Sequence, residues 1–192
     1  MRKSDIKRKT KETDIEVSVN LDGKGVSEIQ TGVGFLDHML TLFASHSRID
    51  VKVSCNGDTF VDDHHSVEDI GIALGLAVNN AIGDKKGICR YGSQILPMDE
   101  SLVMCAIDLS GRAYLGFDLP IRSKKIGSFD TELIEEFFAA FVRSCPMSLH
   151  IRLMTGRNSH HIAECAFKSF GRSFRQAVSI DSQFTNEIPS TK

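Results

Sequence analysis

The first half of the chain alternates between strand-like and helix-like hydrophobic patterns. Apolar and polar residues alternate from Ile15 to Leu21, which predicts a half-buried strand, and Asp22-Gly23 predicts the turn after it. In FLDHMLTLFASH the apolar residues recur at helical spacing, whereas RIDVKVSCNGD alternates again as a strand. An apolar-rich helix is predicted from Ser66 to Ile82, ending before Gly83-Asp84.

The second half repeats this order of elements. LVMCAIDLSG and AYLGFDL are predicted to be paired strands around Gly111, and DTELIEEFFAAFVRS a helix with Asp130 or Thr131 as N-cap. MSLHIRLMTG is predicted to be a strand and HHIAECAFKSFGRSFRQAV the closing helix. Because both halves show strands, helix, strand and helix, we interpret the chain as an internal duplication.

The duplication predicts an α+β fold in one domain, 1–192. The pseudo-repeats are placed at about 8–97 and 98–185, and the irregular tail at 186–192. Each half is expected to form a mostly antiparallel sheet with two helices on one face, because an apolar sheet face must be covered.

Composition narrows the class of protein. The 192 residues are 41% hydrophobic and 25% charged, with a net charge of -2, which suits a globular protein and predicts neither a nucleic-acid nor a membrane partner. The basic start, MRKSDIKRKTK, is interpreted as a solvated end or edge strand rather than an RNA-binding arm. Five scattered cysteines predict reduced thiols and a cytoplasmic location, or a plastid one after loss of a transit peptide.

Two copies of His-His-x-x-Glu stand 96 residues apart. They consist of His64, His65 and Glu68, then His160, His161 and Glu164. A histidine and the glutamate four residues later share a helix face, whereas adjacent histidines point about 100° apart and are expected to serve different ions. One copy alone would more often be surface histidines; two copies at matching places favour metal binding.

Two more residues complete a set of eight candidate ligands. His38 lies on the first-half helix and Glu136 on its counterpart, with Glu135 as a rival one position away. Eight ligands would provide four for each of two ions, and Asp63 and Ser159 could orient the imidazoles. Imidazole and carboxylate suit Mn, Fe, Zn or Co, so tetrahedral zinc and open octahedral manganese or iron both remain open.

Five segments resemble the imidazoleglycerol-phosphate dehydratase family from about residue 8 to 192. They are TGVGFLDHML, DDHHSVEDIGIALG, PMDESLVMCAIDLSGRAYL, LHIRLMTGRNSHHIAECAFKSFGRSFRQA and IPSTK. The resemblance implies a ribosomal S5 domain 2-like fold and a hydro-lyase of histidine biosynthesis that converts imidazole glycerol phosphate to imidazole acetol phosphate. It also implies two Mn²⁺ ions per subunit, a diazafulvene-type intermediate, and a homo-oligomeric 24-subunit octahedral shell of trimers with active sites between subunits.

The resemblance also implies roles for individual residues. The family's metal positions fall on the eight candidates, although the family often has histidine where EEFF places Glu136. Glu12 matches a substrate-contacting acid, and His46 and Asp99 are weaker candidates for proton transfer. Phosphate and substrate contacts map to Arg90, Arg112, Lys168, Ser190 and Lys192, and Ser190 to Lys192 are expected to order over bound phosphate.

Two other functions fit the same ligands. A dinuclear hydrolase would keep all eight of them, and a non-catalytic metal-binding shell subunit would explain the ligands but not the basic residues. Manganese and imidazole glycerol phosphate together would separate the three possibilities.

Overall fold

A computed structural model describes residues 2–184, 187 and 188. The predicted roles of Ser190 and Lys192 lie outside these residues. None of the helices in the described part of the chain combines the length and the hydropathy that crossing a membrane requires.

The first unit is a four-stranded sheet covered by two helices. Its elements are β1 (Lys3–Lys9), β2 (Thr13–Asn20), β3 (Ser27–Gln30), α1 (Gly34–Ser47), β4 (Asp50–Gly57) and α2 (His64–Ile82). The strand order is β1-β2-β4-β3, and only the β3–β4 pair is parallel. The basic N-terminus therefore forms an edge strand, as its charge pattern suggested.

The second unit has the same architecture. Its elements are β5 (Tyr91–Met98), β6 (Ser101–Asp108), β7 (Tyr114–Asp118), α3 (Leu133–Ser144), β10 (Ser148–Thr155) and α4 (Ser159–Val178), with a small hairpin, β8 (Lys125–Ile126) and β9 (Phe129–Asp130), inserted before α3. Its sheet order, β5-β6-β10-β7, is that of the first sheet, again with one parallel pair, β7–β10. The predicted duplicated α+β fold is confirmed.

Three details of the second unit differ from expectation. β6 and β7 do not pair with each other, because β10 lies between them, with Leu149 opposite both Ile107 and Leu115. Hydrophobic alternation shows that a segment is a strand but not which neighbour it bonds. The second sheet also begins at Tyr91, earlier than the division near residue 97 suggested by element order.

The predicted N-cap of α3 is also different. The helix begins after Glu132, which makes no side-chain capping bond. Asp130 lies in β9 and pairs with Lys125 at 3.1 Å, while the Thr131 hydroxyl donates to the Ser123 carbonyl at 2.8 Å. Both candidate caps are thus engaged in or beside the β8–β9 hairpin, whose two-residue loop, Gly127-Ser128, was not recognised in the sequence.

One hydrophobic core joins the two units. The Phe43 ring of α1 stacks on Phe170 of α4 with centroids 5.2 Å apart, and Phe138 of α3 packs 4.8 Å from Phe167 of α4. These rings are fully buried. Because aromatic rings bury a large area and pack with specific geometry, they set the positions of helices that also carry the polar site.

Two glycines allow α2 and α3 to pack closely. A methyl group built on Gly71 would lie 2.8 Å from the Phe137 carbonyl oxygen, and one on Gly75 would lie 2.7 Å from the Phe141 carbonyl oxygen. Gly71 is three residues after Glu68, so this close contact lies next to the predicted ligands of both helices.

Gly71→Ala and Gly75→Ala are each expected to destabilise the protein by about 1–3 kcal/mol, because overpacking outweighs alanine's better helix propensity. Thermal unfolding should detect this as a lower Tm. Gly34→Ala is the matched control, since its added methyl group meets no atom within 4 Å. A raised Tm in Gly71→Ala or Gly75→Ala would show that α2 and α3 can move apart to accept the methyl group without loss of stability.

Candidate metal centre

The structure gathers six of the eight candidate ligands into two groups of three. The α1/α4 cluster contains His38, His160 and Glu164, and the α2/α3 cluster contains His64, Glu68 and Glu136. Within each cluster one ligand atom per residue lies within 4.8 Å of the others. Each cluster takes residues from both units, so the duplicated halves exchange ligands crosswise.

Side-chain oxygens accept backbone N–H groups at the start of both His-His helices, from Asp62 just before the N-cap position of α2 and from the N-cap Asn158 of α4. The Asp62 carboxylate accepts the His64 backbone N–H at 2.8 Å. The Asn158 side-chain oxygen accepts the N–H groups of His160 and His161 at 3.0 and 3.3 Å. Capping of this kind starts a helix where the chain would otherwise leave amides unpaired, so the glutamate four residues later falls on the same face.

Glu164 is the central acceptor of the α1/α4 cluster. Its Oε1 lies 2.6 Å from His38 Nε2 and 3.0 Å from His160 Nε2, and its Oε2 lies 2.5 Å from Lys168 Nζ. Burial raises the pKa of Glu164, but hydrogen bonds from Lys168 and the two histidines outweigh it and bring the pKa to about 2. The carboxylate is therefore ionised at physiological pH, as a metal ligand must be.

The α2/α3 cluster has the opposite composition, with one imidazole and two carboxylates. The Arg143 guanidinium donates to Glu68 Oε1 at 3.1 Å and to Glu136 Oε1 at 3.3 Å. The structure thus places Glu136, rather than its exposed neighbour Glu135, against the predicted ligands.

The remaining two candidate ligands, His65 and His161, belong to neither cluster. His65 Nδ1 lies 3.0 Å from Asp58 Oδ2, and His161 Nδ1 lies 2.8 Å from Glu100 Oε2. These hydrogen bonds raise the pKa of each histidine. With Nδ1 occupied by a carboxylate, Nε2 is the nitrogen that remains for a ligand, as in carboxylate–histidine–metal arrangements.

The two orienting carboxylates were not found by sequence reasoning, which chose Asp63 and Ser159. Asp63 makes no side-chain capping bond at its position before α2, and the Ser159 hydroxyl accepts from the Ser123 amide at 3.3 Å. Glu100 lies 61 residues before His161, so only the folded sheet brings them together. Asp58 lies only seven residues before His65, so of the two orienting carboxylates it is the one that closeness in the sequence could have suggested.

Glu12 and Asp99 occupy equivalent turns of the two units, before β2 and β6. The Glu12 carbonyl accepts the Asp58 amide at 3.1 Å, and the Glu12 charge contributes to the raised pKa of His65. The Asp99 carboxylate lies 3.8 Å from His161 Nδ1. Each predicted acid therefore accompanies the histidine that stands outside the clusters.

His46 and Lys168 lie on the side of the α1/α4 cluster. Burial lowers the pKa of His46, and the nearby charges of Lys168 and Arg172 lower it further. His46 opens on a cleft that Arg172 and Arg175 also line. A neutral imidazole among cations suits a site for an anion.

The other predicted phosphate contacts are arranged differently. Arg90 is buried and forms a two-pronged ion pair with Asp108, at 2.6 and 3.2 Å. Arg112 is exposed at the turn after Ser110, whose hydroxyl accepts the Arg112 amide at 3.3 Å. Arg90 would have to release or share Asp108 in order to bind a phosphate.

Together, the duplicated α+β fold and its paired imidazole–carboxylate clusters define a class of enzyme whose polar sites lie between helices of its two halves. A family model described as imidazoleglycerol-phosphate dehydratase matches residues 31–174. The chain belongs to the imidazoleglycerol-phosphate dehydratase family, and it is a hydro-lyase.

Individual relatives agree over nearly the whole chain. The chain is 56% identical to the imidazoleglycerol-phosphate dehydratase of Desulforamulus reducens, covering 100% of this chain and 97% of the relative. It is 57% identical to that of Cereibacter sphaeroides, covering 100% and 98%. The crystal structure of the Staphylococcus aureus dehydratase superimposes with a TM-score of 0.85 at 42% identity, covering 93% of this chain and 99% of that one.

Proposed function

We propose that this enzyme removes water from imidazole glycerol phosphate to give imidazole acetol phosphate, a step of histidine biosynthesis. The observation that carries the proposal is the α1/α4 cluster, where two imidazoles from different units meet an ionised carboxylate. Such a group can hold a Lewis acid beside a substrate that itself carries an imidazole. The family membership supplies the substrate class.

We propose that the two clusters bind two Mn²⁺ ions per subunit. The donor sets fit, because they combine imidazole nitrogen with carboxylate oxygen, contain no thiolate, and bring three ligand atoms within 4.8 Å of one another. When bound, the ions would supply Lewis-acid polarisation and hold the substrate in place. Three ligands from the described chain leave coordination positions for another subunit and for substrate.

The chain's own residues would move the protons. Glu12, in the turn beside His65, is proposed to take the proton from the second carbon of the glycerol chain, which is next to the carbon that carries the leaving hydroxyl. His46 and Asp99 are the weaker candidates for relaying a proton to the leaving hydroxyl. With loss of the ring N–H proton, this hydroxyl leaves as water from the carbon bonded to the imidazole and gives a diazafulvene-type intermediate. Removal of the proton on the second carbon then restores the aromatic ring and gives an enol, which tautomerises to the ketone.

We propose that active sites form between subunits of a homo-oligomer, a 24-subunit octahedral shell of trimers. His65 and His161 stand outside the clusters with Nδ1 engaged, so each can present Nε2 to a cluster of a neighbouring copy. Phe60, near His65, is 90% exposed, as expected of a residue that another subunit covers. The five free cysteines are consistent with the cytoplasmic location that we propose.

Asp58→Asn and Glu100→Gln are expected to weaken metal binding by about 10–100-fold, because a ligand histidine then loses the carboxylate that orients it. Isothermal titration of Mn²⁺ into the assembled protein would measure this. Glu28→Gln, whose carboxylate pairs with Lys52 on the open sheet face, is the matched control. Wild-type affinity in both variants would contradict the shared-histidine arrangement.

The proposed function is tested by incubating the purified protein with Mn²⁺ and imidazole glycerol phosphate and following imidazole acetol phosphate. Product should form, and it should disappear after removal of the metal with a chelator. Release of inorganic phosphate would instead indicate a hydrolase. Metal binding without turnover would leave a non-catalytic, metal-binding shell subunit as the only one of the three functions that fits.

A further inference from the structure

One arginine bridges the two carboxylates of the α2/α3 cluster. Arg143 lies in the last turn of α3, and the same guanidinium nitrogen contacts Glu68 Oε1 at 3.1 Å and Glu136 Oε1 at 3.3 Å. Glu68 comes from the first unit and Glu136 from the second. A fixed positive charge therefore sits on the ligand oxygens that hold this cluster together.

The two clusters differ in which carboxylate oxygens the neighbouring cation contacts. In the α1/α4 cluster the imidazoles share Glu164 Oε1, while Lys168 takes the other oxygen, Oε2. In the α2/α3 cluster the cation contacts an oxygen of both carboxylates, so a metal ion at these oxygens would meet it. A guanidinium keeps its positive charge in proteins, so Arg143 can leave these oxygens only by moving its side chain.

We propose that Arg143 is a competing cation that sets the metal affinity of the α2/α3 cluster. This inference rests on the proposed function, since it assumes that the cluster binds a divalent ion. Two carboxylates close together attract a divalent cation strongly, and a guanidinium on the same oxygens opposes that attraction by Coulomb repulsion. Arg143 thus keeps a ligand set with one extra carboxylate from binding its metal too tightly.

Solvent limits the size of the effect. The Arg143 side chain is about half exposed, and the two glutamates are about one-third exposed. Screening at such a site reduces charge interactions far below their value in a dry interior. A change of about tenfold in affinity is therefore expected, which corresponds to roughly one unit charge acting across a partly hydrated contact.

The test compares Mn²⁺ binding by the full-length protein and its variants, using electron paramagnetic resonance of unbound Mn²⁺. Arg143→Gln should bind Mn²⁺ about tenfold more tightly at one class of site and leave the other class unchanged. Arg143→Lys keeps the positive charge and should bind close to wild type. Arg152→Gln removes the same charge from a pair with Asp118 on the sheet and should change nothing.

A double variant assigns the effect to the cluster. Removing the Glu136 charge takes away one of the two contacts, so the gain from Arg143→Gln should shrink in a Glu136→Gln background. Unchanged affinity in Arg143→Gln would reduce the contact to an ordinary surface ion pair, and weaker binding would show that Arg143 organises the carboxylates. Either result overturns the inference, whereas a wild-type protein that binds Mn²⁺ but forms no product overturns only the proposed function.

Discussion

Glu164→Gln is expected to lower turnover by about 10³-fold or more and to reduce the bound metal from two ions per chain to one. Glu164 is the only carboxylate of the α1/α4 cluster, and both histidines and Lys168 contact it. Lewis-acid stabilisation contributes several kcal/mol to a transition state, and each 1.4 kcal/mol is tenfold in rate. Steady-state kinetics with metal analysis would measure both losses.

The same substitution should also destabilise the fold. Glu164 is buried, and its amide replacement would leave the Lys168 ammonium, itself only 18% exposed, without its countercharge. Glu135→Gln, an exposed carboxylate on α3, is the matched control and should keep activity, metal content and Tm. Two ions per chain and full turnover in Glu164→Gln would remove the α1/α4 cluster from the mechanism.

Glu12→Gln is expected to reduce kcat by about 10²–10⁴-fold, the usual contribution of a general base, with the metal content unchanged. Glu12 lies in the turn between β1 and β2, beside His65 and Asp58 but outside both clusters. The turn is held in place by Thr13, whose hydroxyl donates to Asp69 at 2.6 Å, so the substitution should leave the fold intact. The measurements are kcat, KM and Mn²⁺ stoichiometry.

Glu16→Gln provides the comparison for Glu12→Gln. Glu16 lies four residues further along the same hairpin and pairs with Lys7 at the surface. Removing its charge should therefore leave kcat, KM and the metal content unchanged. If Glu12→Gln raised KM alone, Glu12 would be assigned to substrate binding. An unchanged kcat would remove it from the proton transfer.

Most of the strands that were predicted correctly, β2, β4, β6 and β10, bury alternate residues, whereas β7 buries none. β2 buries Ile15, Val17 and Val19 against the helices and leaves the residues between them exposed or half-exposed. Apolar and polar residues therefore alternate along this strand with a period of two. β1 carries mostly charged residues at an edge, and β3 has only four residues, so neither has a strong apolar period. The predicted pairing of β6 with β7 was wrong because the register and the neighbours of a strand depend on residues far away in the chain.

The site was predictable as a set of residue types but not as an arrangement. Sequence reasoning expected four ligands around each ion, whereas the structure collects three in each cluster within the described chain. It also could not find that α1 packs with α4 and α2 with α3, where Gly71 allows the close approach. Since a helix face repeats locally but its partner is chosen by packing, the division of ligands required the fold.

By itself, the sequence determined that the protein is duplicated and that each half is α+β, and it predicted a set of histidines and glutamates as metal ligands, because helical spacing and internal repetition are local or directly countable. Only the tertiary structure decided that His38 meets Glu164, that Glu136 meets Glu68, and that Arg143 lies between the last two. These contacts join residues far apart in the chain, and the burial of aromatic side chains between the helices determines their positions.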